Sequence, residues 1–328
     1  MNLLEQQAAN RRRTWLIIAV FVGFFALLGA GFDLFMLGSR EAYVPVGAVM
    51  ALGVGSVSAL AGYFSGDKAV LASARAVLIV QAATAATGDA RFRLHQLQNV
   101  VDEMAIAAGL PRPQVYVVGD PDPNAFATGR DPAHASIAVT QGLLDTVSRD
   151  ELQGVVAHEM SHIRNYDIRL MTVVAALVGA VVLLSDWTTR MMRWGAISGG
   201  GGRRSRSSKG GGPIMLVLLV IWLVAIILAP FAAQMLAMAV SRQREYLADA
   251  SGAELTRNPA ALADALEKIE AQVGPTRAIK RGSAHLCIAD PLDRKLTQKE
   301  GFWSNLLTTH PPMAKRVEAL RKMAFEKA

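Results

Sequence analysis

The sequence predicts a mainly helical α+β protein in which membrane helices carry a mixed globular domain. Three features predict it: long uncharged apolar runs, one helix marked by its own capping box, and short alternating segments that read as strands. Of 328 residues, 52% are hydrophobic and 19% charged, whereas an ordinary soluble domain has roughly a quarter of its residues charged. The apolar residues are gathered into runs that match a hydrocarbon layer about 30 Å thick. The formal net charge is +7, but the basic residues lie beside those runs and in one Gly/Ser-rich tract. Anionic lipid head groups explain them more simply than a nucleic acid, and no nucleic-acid partner is expected. Cys287 is the single cysteine, so an intrachain disulfide is excluded and a packing role fits it better than nucleophilic catalysis.

Four apolar stretches stand out: Thr14–Leu37, Pro45–Phe64, Leu170–Leu184 and Pro213–Val240. The first, second and fourth are long enough to span; the third is borderline. The first follows Arg11, Arg12 and Arg13. It is longer than a signal-peptide core and lacks a convincing cleavage site, so it reads as a retained helix. The positive-inside rule puts this arginine cluster in the cytoplasm and, after two crossings, residues 65–169 as well. The third and fourth stretches then form a returning hairpin. Its loop carries Arg190, Arg193, Arg203, Arg204, Arg206 and Lys209, an unfavourable excess for an outside loop. Either the first helix dominates the topology or the second pair does not fully cross; both readings stay open. The tract from Gly195 to Pro213 is too polar and glycine-rich to order itself and reads as a tether. Asp33, near the end of the first run, is expected at the interface.

The expected division is 1–66 as an N-terminal pair of membrane helices, 67–169 as the first part of a globular domain, 170–240 as a second membrane hairpin, and 241–328 as the second part of that domain. Within 67–169, Leu94, Leu97, Val101 and Met104 form a helical stripe over Arg91–Ala108, closed by Gly109 and Pro111. Gln114–Val118 alternates as a strand, Gly119–Pro123 has turn chemistry, Asn124–Ala127 reads as an edge strand, and Ser136–Thr140 as a further strand. Asn258-Pro259 starts a helix. So does Pro311-Pro312, whose helix places Met313, Val317 and Leu320 on one face.

The segment SRDELQGVVAHEMSH carries the chemistry. Ser148 and Glu151 form a capping box, so the following residues are helical on local grounds. His158 and His162, four apart, then share a face and can aim both imidazoles at one zinc ion about 2.0–2.1 Å away. Glu159 is rotated by about 100° from His158, beside the metal, where it can take a proton from the attacking water. A catalytic site needs a third protein ligand and an open position. In SRQREYLADASG, Glu245 can supply the ligand and Asp249, four residues on, can accept from a histidine N–H. Spacing alone leaves Glu254 and Glu267 as equal carboxylates. His95, His134 and His285 have no ligand-like spacing and read as ordinary surface or core residues.

The order PNAFATG, HEMSH, membrane hairpin, SRQREYLAD, THPP resembles the HtpX-type membrane metallopeptidases, relatives of the CAAX prenyl protease, over nearly the whole chain. The resemblance implies a zincin-like (gluzincin) domain with one Zn2+ per subunit on His158, His162 and Glu245. It implies catalysis by Glu159 and support from Asp249. It also implies a cleft lined by the strand Asn124, Ala125, Phe126 and Ala127, whose free edge would pair with a peptide. His310 would lie near the metal as electrophile or occluding ligand; a histidine without a role there fits the sequence equally well. The implied activity is that of a multi-pass zinc endopeptidase of a bacterial inner membrane, facing the cytoplasm and cleaving membrane or misfolded proteins for quality control. A non-catalytic zinc-containing scaffold or chaperone is the alternative, and a metal shell closed by four protein ligands would favour it. A transporter would show paired, charge-interrupted halves, which these runs lack.

Overall fold

The computed structural model describes residues 3–37, 45–179, 181, 242–272, 278, 286–289 and 311–325. His285, His310, the glycine-rich tract and the fourth apolar stretch lie outside the described residues.

Two compact units emerge, one of them built around Trp15–Gly62. It contains most of α1 (Leu3–Leu37) and the first part of α2 (Val46–Ser73). Both helices are long and apolar enough to cross a membrane. Their large apolar side chains point outward, with Leu27 74% and Val57 67% exposed, a display that suits lipid and not water. The helices meet through small residues: a Cβ on Gly29 would lie 2.3 Å from the Gly47 carbonyl oxygen. Asp33 is a buried capping group. Its carboxylate accepts from the Gly47 and Ala48 amides at 2.7 and 2.8 Å, satisfying the first turn of α2.

The other unit comprises Met1–Thr14, Tyr63–Ala176 and Met235–Ala328. Its described elements after α2 are β1 (Val77–Leu78), α3 (Ile79–Ala85), α4 (Gly88–Ala108), β2 (Gln114–Val118), β3 (Ala125–Gly129), β4 (Ala135–Thr140), α5 (Gln141–Thr146) and α6 (Arg149–Arg164). Then come α7, described over 167–179, α8 (Arg242–Thr256), α9 (Pro259–Ala271) and α10 (Met313–Phe325). The sheet order is β1-β2-β4-β3, with β2 and β4 parallel and the outer pairs antiparallel.

The expected helix over Arg91–Ala108 begins three residues earlier, because Gly88-Asp-Ala90 adds a turn with no apolar stripe to announce it. It ends at Gly109, whose φ of +65° makes the left-handed cap glycine accommodates most easily. Leu97, Val101, Ile137, Val155, Leu262 and Ile269 are fully buried in one core that joins α4, the sheet, α6 and α9. Helix α8 packs on α6 at Gly252, where a Cβ would lie 3.0 Å from the His158 amide nitrogen. Glycine there lets the two helix backbones approach closely enough for their side chains to share a centre.

Candidate metal centre

Helix α6 starts from the reciprocal cap inferred from the sequence. The Glu151 amide donates to Ser148 Oγ at 3.4 Å, and Glu151 Oε2 accepts from the Ser148 amide at 2.7 Å. Lys268 on α9 lies 2.8 Å from the same Glu151 oxygen and ties the start of the helix to its neighbour. About three and four turns on, the His158 and His162 rings stand edge to face with centroids 4.9 Å apart.

Glu245, in the first turn of α8, is 1% exposed and faces both rings. Its Oε2 lies 3.6 Å from His158 Nε2 and its Oε1 lies 3.6 Å from His162 Nε2. Those separations exceed the usual hydrogen-bond range of about 2.7–3.2 Å. They approach the roughly 3.3 Å between ligand atoms that share an ion at about 2.0–2.1 Å in tetrahedral geometry. One ligand atom from each of the three residues falls within 4.8 Å of the others. His158 Nε2 is buried without a hydrogen-bond partner among the described residues, which suits a lone pair reserved for a cation. Glu254 and Glu267, equal to Glu245 by spacing, are exposed.

The opposite ring nitrogens face carboxylates. His158 Nδ1 lies 2.9 Å from Asp249 Oδ1, a contact with the length of a hydrogen bond though not its ideal angle. His162 Nδ1 hydrogen-bonds Asp167 Oδ2 at 3.1 Å. Such carboxylates leave Nε2 as the free lone pair and raise ligand basicity.

Comparison with known proteins gives the family. Peptidase family M48 matches the chain over residues 92–324, well beyond half its length. This chain belongs to peptidase family M48. Among curated relatives it is 42% identical to the Protease HtpX homolog of Streptococcus gordonii, covering 98% of this chain and 100% of that protein. It is 41% identical to the Protease HtpX homolog of Thermoanaerobacter pseudethanolicus over 99% of both chains. The crystal structure of S. mikatae Ste24p is similar at 19% identity and a TM-score of 0.47, over 97% of this chain and 67% of that one. As an M48 peptidase the chain is a membrane metalloprotease, a hydrolase of polypeptides. The non-catalytic scaffold reading gives way to that membership.

Two findings adjust the expectations for this M48 site. First, β3 ends the sheet, but its outer edge is not free at Asn124 and Ala125. Residues 286–289 pair there: Phe126 bridges Cys287, the Ile288 amide donates to the Ala125 carbonyl at 2.9 Å, and Asn124 Nδ2 donates to the Ala289 carbonyl at 3.1 Å. At the far end of β3 the edge is covered as well, because the Gly129 amide donates to Thr172 Oγ1 at 3.0 Å.

Second, four residues at the centre escaped the sequence reading: Asn10, Asp167, Arg244 and Arg316. Arg316 of α10 is fully buried. Its Nε and Nη2 each donate to Asp249 at 2.8 Å, Nη1 donates to the Ile288 carbonyl at 2.8 Å, and Nη1 lies 3.4 Å from Glu245 Oε2. One signal for it was present, because Arg316 lies on the same helical face as Met313, Val317 and Leu320, where a charge must have a buried partner.

Electrostatics at the centre follow from this packing. Burial opposes a charged His158, yet the Asp249 and Glu245 carboxylates outweigh it and raise its pKa to about 9. Burial works against ionised Asp249 too, but the Arg316 guanidinium and His158 hold it below the usual carboxylate range. Glu159 shifts upward, mainly through burial; His158, His162 and the nearby Ala127 amide offset only part of that shift. Neither Glu159 oxygen has a fully formed hydrogen bond among the described residues.

A pH dependence follows for metal uptake. With its pKa held at about 9 in the metal-free protein, His158 would have to release a proton to any cation it ligated below that pH. Apparent metal affinity is therefore expected to rise about tenfold per pH unit from pH 7 and to level off near pH 9. Chelator competition across that range checks it; a flat profile would show that His158 is already neutral.

Proposed function

We propose that the chain is a zinc-dependent endopeptidase with His158, His162 and Glu245 as metal ligands, Glu159 as general base and acid, and Asp249 holding His158. The placement of both Nε2 atoms opposite the two Glu245 oxygens carries this reading, because three buried donors of that chemistry converge at distances too long for bonds among themselves. Zinc, when bound, supplies Lewis acidity that lowers the pKa of water and polarises the scissile carbonyl. Glu159 takes the proton of the attacking water and delivers it to the leaving amine. Its raised pKa moves it toward the operating pH, where a proton shuttle works best. The Ala127 carbonyl, on the outer side of β3 between the covered positions, is the acceptor this strand would offer to an extended substrate. The fold is read as zincin-like, with 67–169 and 241–328 forming one peptidase domain around a membrane hairpin at 170–240. The grouping of Tyr63–Ala176 with the residues after Met235 supports that.

Arg11, Arg12 and Arg13, ahead of the apolar run of α1, favour a cytoplasmic active side in a bacterial inner membrane. Membrane or unfolded polypeptides are the substrates such a site can reach, and quality control is the role this implies. The decisive experiment is metal analysis of Glu245→Ala beside the wild type. Wild type is expected to retain one zinc per chain and Glu245→Ala to lose it together with cleavage of an unfolded protein. Stoichiometric zinc in the variant would mean that another carboxylate closes the shell.

A further inference from the structure

The start of α1, ahead of its apolar run, is packed into the unit that contains the metal centre. Asn10 is 5% exposed and Thr14 not at all. Asn10 Nδ2 donates to Asp167 Oδ1 at 2.7 Å and to the Asn165 carbonyl at 3.0 Å. The other Asp167 oxygen is the one bonded to His162 Nδ1. Arg244 Nη1 lies 3.7 Å from Asp167 Oδ1, on the same side as Asn10. Asp167 is thus gripped through one oxygen and presents the other to the ring. A carboxylate fixed in this way holds the tautomer and orientation of a histidine, whereas one free to rotate does so only part of the time.

We propose that Asn10 is a positioning residue of the metal centre: it fixes Asp167, and Asp167 fixes His162. The first helix therefore contributes to the peptidase site before it enters the membrane. The proposal rests on His162 being a ligand, as argued above. Nearby contacts of the same helix provide an internal control, since Gln7 Nε2 donates to the Arg164 carbonyl at 2.8 Å and Arg11 lies 4.7 Å over the Tyr166 ring. Those contacts dock the helix without touching Asp167.

The test uses the full chain in detergent, with zinc affinity read by chelator competition and ligand geometry by the visible spectrum of the cobalt(II)-loaded protein. Asn10→Ala is expected to weaken zinc binding by about 10- to 100-fold, as losses around metal-bound histidines do, and to shift the cobalt bands. Gln7→Ala is expected to change neither. In an Asp167→Asn background, Asn10→Ala should cost nothing further. Wild-type affinity and spectrum in Asn10→Ala, or equal losses in Asn10→Ala and Gln7→Ala, would overturn the proposal, the second by reducing it to helix docking. If Asn10→Ala does not fold, Asn10→Gln, which displaces the amide by one methylene, is read in the same titration. Full affinity in His162→Ala would instead remove the ligand assignment beneath it.

Discussion

Glu159→Gln is expected to lower kcat by about 10²- to 10⁴-fold, the range spanned by general acid–base catalysis, with zinc content unchanged. Glutamine keeps the shape of the side chain and cannot accept the proton of the attacking water. Metal affinity should persist, because Glu159 is not among the three residues whose donor atoms converge. Folding should persist or improve: the wild-type carboxylate is buried with both oxygens short of a full hydrogen bond among the described residues, and a neutral amide is cheaper to bury. Cleavage of an unfolded protein, metal analysis and thermal melting together check this. A variant with full zinc and wild-type kcat would remove Glu159 from the chemistry.

Arg316→Met is expected to destabilise the protein by about 3–5 kcal/mol, the usual penalty when one partner of a buried ion pair is removed. The guanidinium makes two hydrogen bonds to Asp249, and both residues are almost wholly shielded from water. Without it, Asp249 keeps its charge with His158 as the remaining counterpart, and the Ile288 carbonyl loses its donor. A second change, Asp249→Asn, removes the stranded charge and should recover part of the loss. Melting of the metal-free forms measures this, and coincident curves for wild type and Arg316→Met would show that the pair contributes nothing.

The legible parts of this molecule are those whose cause is local. The cap of α6 needs only Ser148 and Glu151, the facing of His158 and His162 needs only the helical period, and Gln114–Val118 needs only alternation. Glu245 was within reach as a residue type, but its choice over Glu254 depends on which face of α8 meets α6, set by close approach at Gly252, and its choice over Glu267 on the exposed placement of that residue on α9. Asn10 and Asp167 stand 157 positions apart and Asp249 and Arg316 stand 67 apart, so no short window contains both members of either pair. The covered edge of β3 was missed for the same reason: nothing local to Asn124–Ala127 reveals that residues 286–289 return to it.

The Arg316 clamp also has a meaning in time. A ribosome makes a chain from its N-terminus at about 5–20 residues per second, so His158, Glu159, His162, Glu245 and Asp249 all exist before Arg316 does. Until α10 is made, Glu245 and Asp249 on α8 lack the guanidinium that offsets the cost of burying them, so their burial waits on a segment made long after their own helix.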